Sequence, residues 1–358
     1  MAEHHHIHHH HTSFDTLFRY AERLRYGELH IKWDEETGLK ALIAIHSLKR
    51  GAALGGCRWM AYETEDKAAE DVLRLGFMMS MKAAIINLPH GGAKAVIIKP
   101  KQINNYDAYF EKMGEFINEL NGRYITAVDS GTGVKEMDII ARRTPYVTCT
   151  SGIHGGNGDP SVYTAFGVRR GIEAAVKFKL AKDSLQGVHI AIQGAGHVGY
   201  LLAQELTAQG ALLTMADVNA VALQRCVDAF AVRTCAPEKI YDIEADVFAP
   251  CAMGAILNLE TIQRLNVPIV AGSANNQLAH HQFDNVLYER GILYAPDFVI
   301  NAGGLIHVAV LYDHGDLQKS HEQINRIYDT LLEIFQQAAK DKQGPGQVAE
   351  RMALERLK

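Results

Sequence analysis

Cysteine is scarce in this 358-residue chain, with five, at positions 57, 149, 226, 235 and 251. They are odd in number, scattered, and never spaced as CxxC. That excludes a disulfide frame and a zinc site, and points to reduced thiols in a cytoplasmic protein. No apolar run approaches the length that spans a bilayer, so no membrane partner is expected. Positive charge is not in excess either. A formal net charge of −5 gives bulk electrostatics no hold on nucleic acid. The GxxxxGK phosphate loop is missing, and no metal site is expected in the folded part. The opening tract, MAEHHHIHHHH, lacks the apolar segment of a signal peptide and reads either as an expression tag or as a native metal-binding tail.

With 47% hydrophobic and 22% charged residues the composition is that of a globular protein, and the length favours two domains over one core. The stretch MKAAIINLPHGGAK sets Lys82 and Lys94 twelve residues apart. Val72, Leu75, Met79, Lys82 and Ile86 recur at helical spacing in a helix expected over Asp66–Ile86, which puts Lys82 in an apolar stripe. Alone, such a lysine is read as snorkelling its head to water. A second lysine after Gly91-Gly92 suggests instead two ammonium groups in one cleft, lowering each other's pKa so that one acts as a base.

Before this lie a helical pattern over Phe14–Tyr26 and strands expected over Leu29–Trp33 and Leu39–His46. Leu54-Gly55-Gly56-Cys57-Arg58 is read as a post-strand glycine pair, either a plain turn or a place where backbone meets ligand. After Gly91-Gly92, a loop in this reading, come a short strand Lys94–Ile98 and a helix Tyr106–Leu120. Strand Arg123–Val128 delivers Asp129 into a Ser-Gly-Thr-Gly loop, as a catalytic carboxylate or as a turn-former or cap. Helix Lys135–Arg142 follows, and Ser151–Pro160 has the composition of a hinge.

The second half alternates strand and helix, the pattern of a parallel sheet covered on both faces. Strand Val188–Ile192 runs into Gly194-Ala195-Gly196-His197-Val198-Gly199, then a helix Tyr200–Gln209 and a strand Ala211–Ala216 ending at Asp217. This is GxGxxG in its required context, with an acid eighteen residues past the last glycine. The glycines allow the tight turn and the approach to pyrophosphate, and the helix N-terminus carries the phosphate charge. Asp217 suits a ribose 2′-hydroxyl and repels a 2′-phosphate, which favours NAD over NADP. Further strands are expected at Val247–Ala249, Ile269–Ala271 and Leu293–Val299, with the turns after them on the nicotinamide side. The tail is helical over Leu317–Ala339 and Gly346–Leu357.

The motifs LGGCR, MKAA, the Gly-Gly-Ala-Lys stretch, TAVDSGT, YVT, GNGDPS, GAGHVG, FAPCAMGAI, GSANNQL and APDFVINAGG occur in this order. On them the chain resembles the leucine/valine/phenylalanine branch of the amino-acid dehydrogenase superfamily, and its leucine members most of all. The resemblance runs from about Thr16 to the C-terminal helix. It implies an α/β protein of two domains: a substrate-binding and oligomerisation domain at 13–150 and a Rossmann-type doubly wound NAD-binding domain at 151–330. Helices at 331–358 return to the first domain, and 1–12 form the tail. It further implies a cleft between the domains and reversible NAD-dependent deamination of an L-amino acid to a 2-oxo acid and ammonia. A homo-oligomer, octamer or dimer, is implied too.

Residue by residue, Lys82 matches the lysine that binds substrate carboxylate, and Lys94 the lysine that polarises the carbonyl oxygen and activates water. Asp129 matches the carboxylate that moves protons at nitrogen. Gly55 and Gly56 match the backbone pair beside the substrate, and Asn276 an asparagine near both substrate and cofactor. Thr148 and Asn301 join Gly194, Gly196, His197, Val198, Gly199 and Asp217 on the cofactor side. The side-chain pocket falls on Leu54, Ala127, Leu305 and Val308, all aliphatic, so leucine, isoleucine and valine are the expected substrates. A phenylalanine- or tryptophan-type enzyme is the alternative. Departures from the family pattern are Val128 in place of a frequent glutamate, Gly133 in place of threonine, two glycines rather than three before Lys94, and Val310-Leu311 where acids are common. Two rivals remain: an NAD-binding sensor or scaffold that has lost catalysis, and a hydroxy-acid dehydrogenase built on His90 and Arg58. The survival of Lys82, Lys94 and Asp129 together disfavours the sensor.

Overall fold

The computed structural model describes residues 17–152 and 158–358. The His-rich tail, the start of the Phe14–Tyr26 helix and the middle of the Ser151–Pro160 hinge lie outside the described residues. The described chain divides into two compact units, one of residues 17–80 and 90–152, the other of 81–89 and 158–358.

The first unit opens with helix α1 (Leu17–Leu24) and strands β1 (Glu28–Trp33), β2 (Lys40–Ser47) and β3 (Ala53–Met60). Helix α2 (Glu65–Ile85), strand β4 (Gly91–Ile98), helix α3 (Tyr106–Glu119), strand β5 (Tyr124–Val128) and helix α4 (Val134–Ala141) follow. The sheet order is β1-β2-β4-β3-β5, antiparallel across β1-β2-β4 and parallel across β4-β3-β5. Ala68, Ala69, Val72 and Leu73 of α2 pack on Leu42, Ala44 and Val96 of the sheet. Of the stripe its spacing predicts only Val72 is fully buried, while Leu75, Met79, Lys82 and Ile86 are half-buried.

Both glycine pairs correct the sequence reading: neither is a turn or loop. Gly55-Gly56 lies inside β3, and Gly91-Gly92 begins β4. A Cβ at Gly55 would sit 1.7 Å from the Ala93 carbonyl oxygen, and one at Gly92 would sit 2.0 Å from the Ser80 nitrogen of α2. The pairs mark backbone passing against backbone, the other reason a strand carries glycine.

The second unit begins, beyond 81–89, with α5 (Ser161–Leu180), then β6 (His189–Gln193), α6 (His197–Ala208), β7 (Leu212–Ala216), α7 (Ala220–Phe230) and β8 (Arg233–Thr234). A 3₁₀ turn (Pro237–Asp242) leads to β9 (Val247–Pro250), α8 (Leu259–Arg264), β10 (Ile269–Val270), α9 (Phe283–Glu289) and β11 (Leu293–Tyr294). Helices α10 (Asp297–Ile300), α11 (Gly303–His314), α12 (Leu317–Asn325), α13 (Ile327–Asp341) and α14 (Pro345–Arg356) end the chain. The strands form one parallel sheet, β11-β10-β9-β6-β7-β8. The order reverses at β6, between β7 and β9, and this is the switch point at which doubly wound sheets bind ligands.

The expected strand Leu293–Val299 stops at Tyr294. Pro296 starts the short helix α10, and the Asp297 carboxylate accepts from the Phe298 N–H, 2.7 Å. Helix α5 crosses α11 closely because both carry glycine at the contact: a Cβ on Gly303 would meet the Tyr163 carbonyl oxygen at 2.1 Å. Among the described residues no helix is long and apolar enough to cross a membrane.

Candidate active site

In the first unit the chemistry gathers where β3, β4 and β5 run side by side. The β3–β5 register pairs Gly56 with Ala127 and Cys57 with Val128, so the chain leaving β5 brings Asp129 beside Arg58. Lys94, two residues past the β4 glycines, is buried, and its Nζ lies 2.9 Å from Asp129 Oδ1. Arg58 Nε donates to Asp129 Oδ2 at 2.8 Å. Asp129 is half-buried, which acts to raise its carboxyl. The charges of Lys94 and Arg58 and their hydrogen bonds outweigh that and hold it below the usual carboxylate range.

The backbone at Asp129 is fixed as well. Its N–H donates to Thr132 Oγ1 at 3.0 Å, and that hydroxyl donates to the Cys57 carbonyl at 2.7 Å. Gly56 makes room for the pair: a Cβ there would lie 2.8 Å from Asp129 Cβ and 3.3 Å from Lys94 Nζ. Tyr124 donates to the Gly55 carbonyl at 2.9 Å from full burial. Leu54 and Ala127 are buried on the adjacent strands β3 and β5. Thr148 is also in this unit, with its N–H and its hydroxyl both directed at the Thr126 carbonyl, each at 2.9 Å.

Lys82, near the end of α2, falls among the residues of the second unit and is half-buried. Its Nζ donates to Asn301 Oδ1 at 2.6 Å. The Asn301 amide is set by its other end, which donates to Asn275 Oδ1 at 2.7 Å and to the Ser273 carbonyl at 3.2 Å. Asn275 and Asn276 are exposed, and Asn276 takes φ +51, a left-handed conformation that asparagine tolerates. Leu305 and Val308 lie three residues apart on α11.

At the switch point Gly194 takes φ +105, and a Cβ on Gly199 would meet the Gly194 carbonyl oxygen at 2.1 Å, so both are needed for the turn into α6. Gly196 differs: nothing lies within 4 Å of where its Cβ would be. That open face adjoins the first-turn N–H groups of His197, Val198 and Gly199, which have no intrahelical acceptor. His197 is exposed, with Nε2 2.8 Å from Asp159 Oδ2. Asp217 Oδ2 accepts from the Ala195 N–H and Oδ1 from the Asn219 N–H, both at 2.6 Å. The carboxylate is thus pinned beside the glycine turn with lone pairs to spare. An open glycine, a helix N-terminus and a fixed carboxylate fit a dinucleotide.

The groups named by the hydroxy-acid reading are otherwise engaged. His90 Nδ1 bonds the Ala52 carbonyl at 3.0 Å, and Arg58 bridges the carboxylates of Asp129 and Asp71. Asp71 was not marked by the sequence, since nothing in a helical Asp thirteen residues after Arg58 announces the contact. Among the described residues no group of three or more His, Cys, Asp or Glu could hold a metal ion.

Two family models match the chain. One, described as Glu/Leu/Phe/Val dehydrogenase, dimerisation domain, covers residues 25–146, and the other, Glutamate/Leucine/Phenylalanine/Valine dehydrogenase, covers 223–356. The chain is 47% identical to a leucine dehydrogenase of Thermoactinomyces intermedius, over 95% of this chain and 93% of that one. It is 41% identical to a valine dehydrogenase of Streptomyces virginiae, over 90% of this chain and 91% of that one. A solved structure of L-tryptophan dehydrogenase from Nostoc punctiforme superposes with a TM-score of 0.83 at 37% identity, covering 95% of this chain and 98% of that one.

Proposed function

The chain belongs to the Glu/Leu/Phe/Val dehydrogenase family, and we propose that Lys82, Lys94 and Asp129 carry its chemistry, with NAD as the cofactor. It is an oxidoreductase that deaminates branched-chain L-amino acids with a nicotinamide cofactor. The observation that carries the assignment of roles is the buried contact of 2.9 Å between Lys94 Nζ and Asp129 Oδ1. A buried base and a carboxylate in contact can exchange a proton without water.

Lys82 holds the substrate carboxylate, with Asn301 fixing the direction of its ammonium. When bound, the nicotinamide supplies a hydride acceptor for the substrate Cα. At the resulting imine, Lys94 Nζ takes a proton from the attacking water as the C–O bond forms, giving a carbinolamine. Asp129, which takes a proton from the substrate ammonium before the hydride leaves, delivers that proton to the carbinolamine nitrogen. As the C–N bond breaks and ammonia leaves, the hydroxyl proton returns to the Lys94–Asp129 pair and the 2-oxo acid is released. In the reductive direction the same groups act in reverse. Gly194, Gly196 and Gly199 with the first turn of α6 would hold the pyrophosphate of the cofactor, and Asp217 would hold its ribose. The carboxylate at 217 is followed by Val218 and Asn219 rather than a cation, which supports NAD over NADP.

Leu54, Ala127, Leu305 and Val308, the positions assigned to the substrate side chain, are all aliphatic, and none of the four is a cation for a distal carboxylate. Apolar contacts separate neighbouring aliphatics by about 1–3 kcal/mol per methylene, so leucine, isoleucine and valine are all turned over. The dimerisation-domain match over 25–146 supports a homo-oligomer. The test is NAD reduction at alkaline pH with L-leucine, L-valine, L-phenylalanine, L-tryptophan and L-glutamate. Preference for the branched-chain substrates is expected. Turnover of the aromatics alone would overturn the aliphatic assignment and leave the proton chemistry standing.

A further inference from the structure

We propose that Arg58 is a positioning residue for the proton-transfer carboxylate: anchored by Asp71, it clamps Asp129 Oδ2, leaving Oδ1 to face Lys94. This rests on the reading of Asp129 as the group that moves protons at nitrogen.

The placement follows from register. Cys57 pairs with Val128 across β3 and β5, so the next residues, Arg58 and Asp129, come side by side. The guanidinium spans two carboxylates, with Nε on Asp129 at 2.8 Å and Nη1 on Asp71 at 2.9 Å. A planar fork with several donors can hold both in fixed geometry, which a lysine's single nitrogen cannot. The far anchor is itself built: Asp71 Oδ2 also accepts from the Tyr62 hydroxyl at 2.7 Å, and Oδ1 accepts from Arg74 at 2.9 Å. Asp129 Oδ1, by contrast, meets Lys94 at 2.9 Å. Each oxygen therefore has a separate duty. Oδ2 is tied to a cation that never gives up its proton, and Oδ1 to an amine that can.

Lys94 on β4 and Arg58 on β3 bear directly on Asp129, whose charge in turn reaches Cys57 on β3 and Tyr124 on β5. Asp71 on α2 meets it through Arg58, and Glu136 on α4 acts on Cys57 while bonded to the Gly133 N–H. Burial first, then Asp129, pushes the Cys57 thiol up to about 12, and burial lifts Tyr124 well above its ordinary value, so neither titrates in the working range. Asp129 must be ionised to accept a proton. Removing Arg58 removes one of the charges that hold it low, so the carboxyl rises and activity is lost at a higher pH on the acidic side.

The experiment compares kcat and kcat/KM against pH for the wild type, Arg58→Lys, Arg58→Met, Asp71→Asn and Asp129→Asn, with a thermal melt of each. For Arg58→Lys a kcat loss of about 10- to 100-fold is expected, with KM for the amino acid within about threefold, as for misplacement of a reacting group. For Arg58→Met the acidic limb of kcat/KM is expected to move up by about one pH unit, and Asp71→Asn should move both quantities less. Unchanged kcat and an unmoved limb in Arg58→Lys and Asp71→Asn would overturn the proposal. So would a kcat loss that merely follows the melting temperature with the limb in place. If Arg58→Met does not fold, the other two variants decide. Asp129→Asn separates the two readings: if it stays active, the role of Asp129 fails; if it is inactive while the Arg58 variants behave as wild type, only the positioning fails.

Discussion

Gly56 shows how little freedom Lys94 and Asp129 have. A methyl group there would overlap Asp129 Cβ at 2.8 Å and press on Lys94 Nζ at 3.3 Å. Gly56→Ala is therefore expected to cost about 1–3 kcal/mol of stability and about 100-fold in kcat from misplacement. Steady-state rates beside a thermal melt check both. Asp217 is the second residue whose change has a direction. Replacing it with serine removes a carboxylate that repels a 2′-phosphate, so the NAD-to-NADP preference is expected to fall by at least about tenfold, the fold-change of 1.4 kcal/mol. Ratios of kcat/KM for the two cofactors measure it. Lys94, Asp129 and Asp217 could be picked from the sequence because each is a charged residue at a strand end or beside glycines. Asp71 could not be, because its partnership with Arg58 depends on where α2 lies against β3.

The elements were legible where periodicity is strong and illegible where packing overrides it. Helix α2 falls within a residue of its expected span, though of its expected stripe only Val72 is fully buried. The glycine pairs at 55–56 and 91–92 carry the same local signal as turns, and only the approach of Ala93 and Ser80 makes them strand. Helix α11 is buried along most of its length, so its sequence shows no contrast between faces and no helical period to read. Helix α14 offers a test at this scale. Asp284, on α9, accepts from the Gln347 N–H at the start of α14 at 3.0 Å, and its Oδ1 is buried without a partner. Burial pushes its carboxyl up to about 6, only partly opposed by the Gln347 and Gly346 N–H groups. A carboxyl raised in the folded state contributes most below its unfolded value, and that contribution is lost as pH rises towards 6. Asp284→Asn is thus expected to gain stability over the wild type at pH 8, by at most about 3 kcal/mol, with the gain shrinking towards pH 4. Urea melts at the two pH values test this, and equal differences at both would contradict it.

At the scale of the molecule, the chain divides its chemistry as it divides its fold. The Lys94–Asp129 pair, to which we assign the proton chemistry, sits on the mixed sheet of the first unit, and the GxGxxG turn lies at the order reversal of the parallel sheet in the second. The alternation of strands and helices, the GxGxxG turn and the acid after β7 made the second unit readable as a nucleotide-binding fold. The first unit's mixed strand order was not readable, since β3 joins β4 in parallel across the whole of α2 and no local pattern records such a pairing. The most direct test of the assignment is the rate of NAD reduction with L-leucine by Lys94→Ala and Asp129→Asn, alongside NADH binding by fluorescence. Loss of at least about 1,000-fold in kcat is expected for each, well beyond the general acid–base contribution at its lower end, with cofactor binding unchanged. Substantial turnover in either variant, with the cofactor still bound, would contradict the assignment of the proton chemistry to this pair.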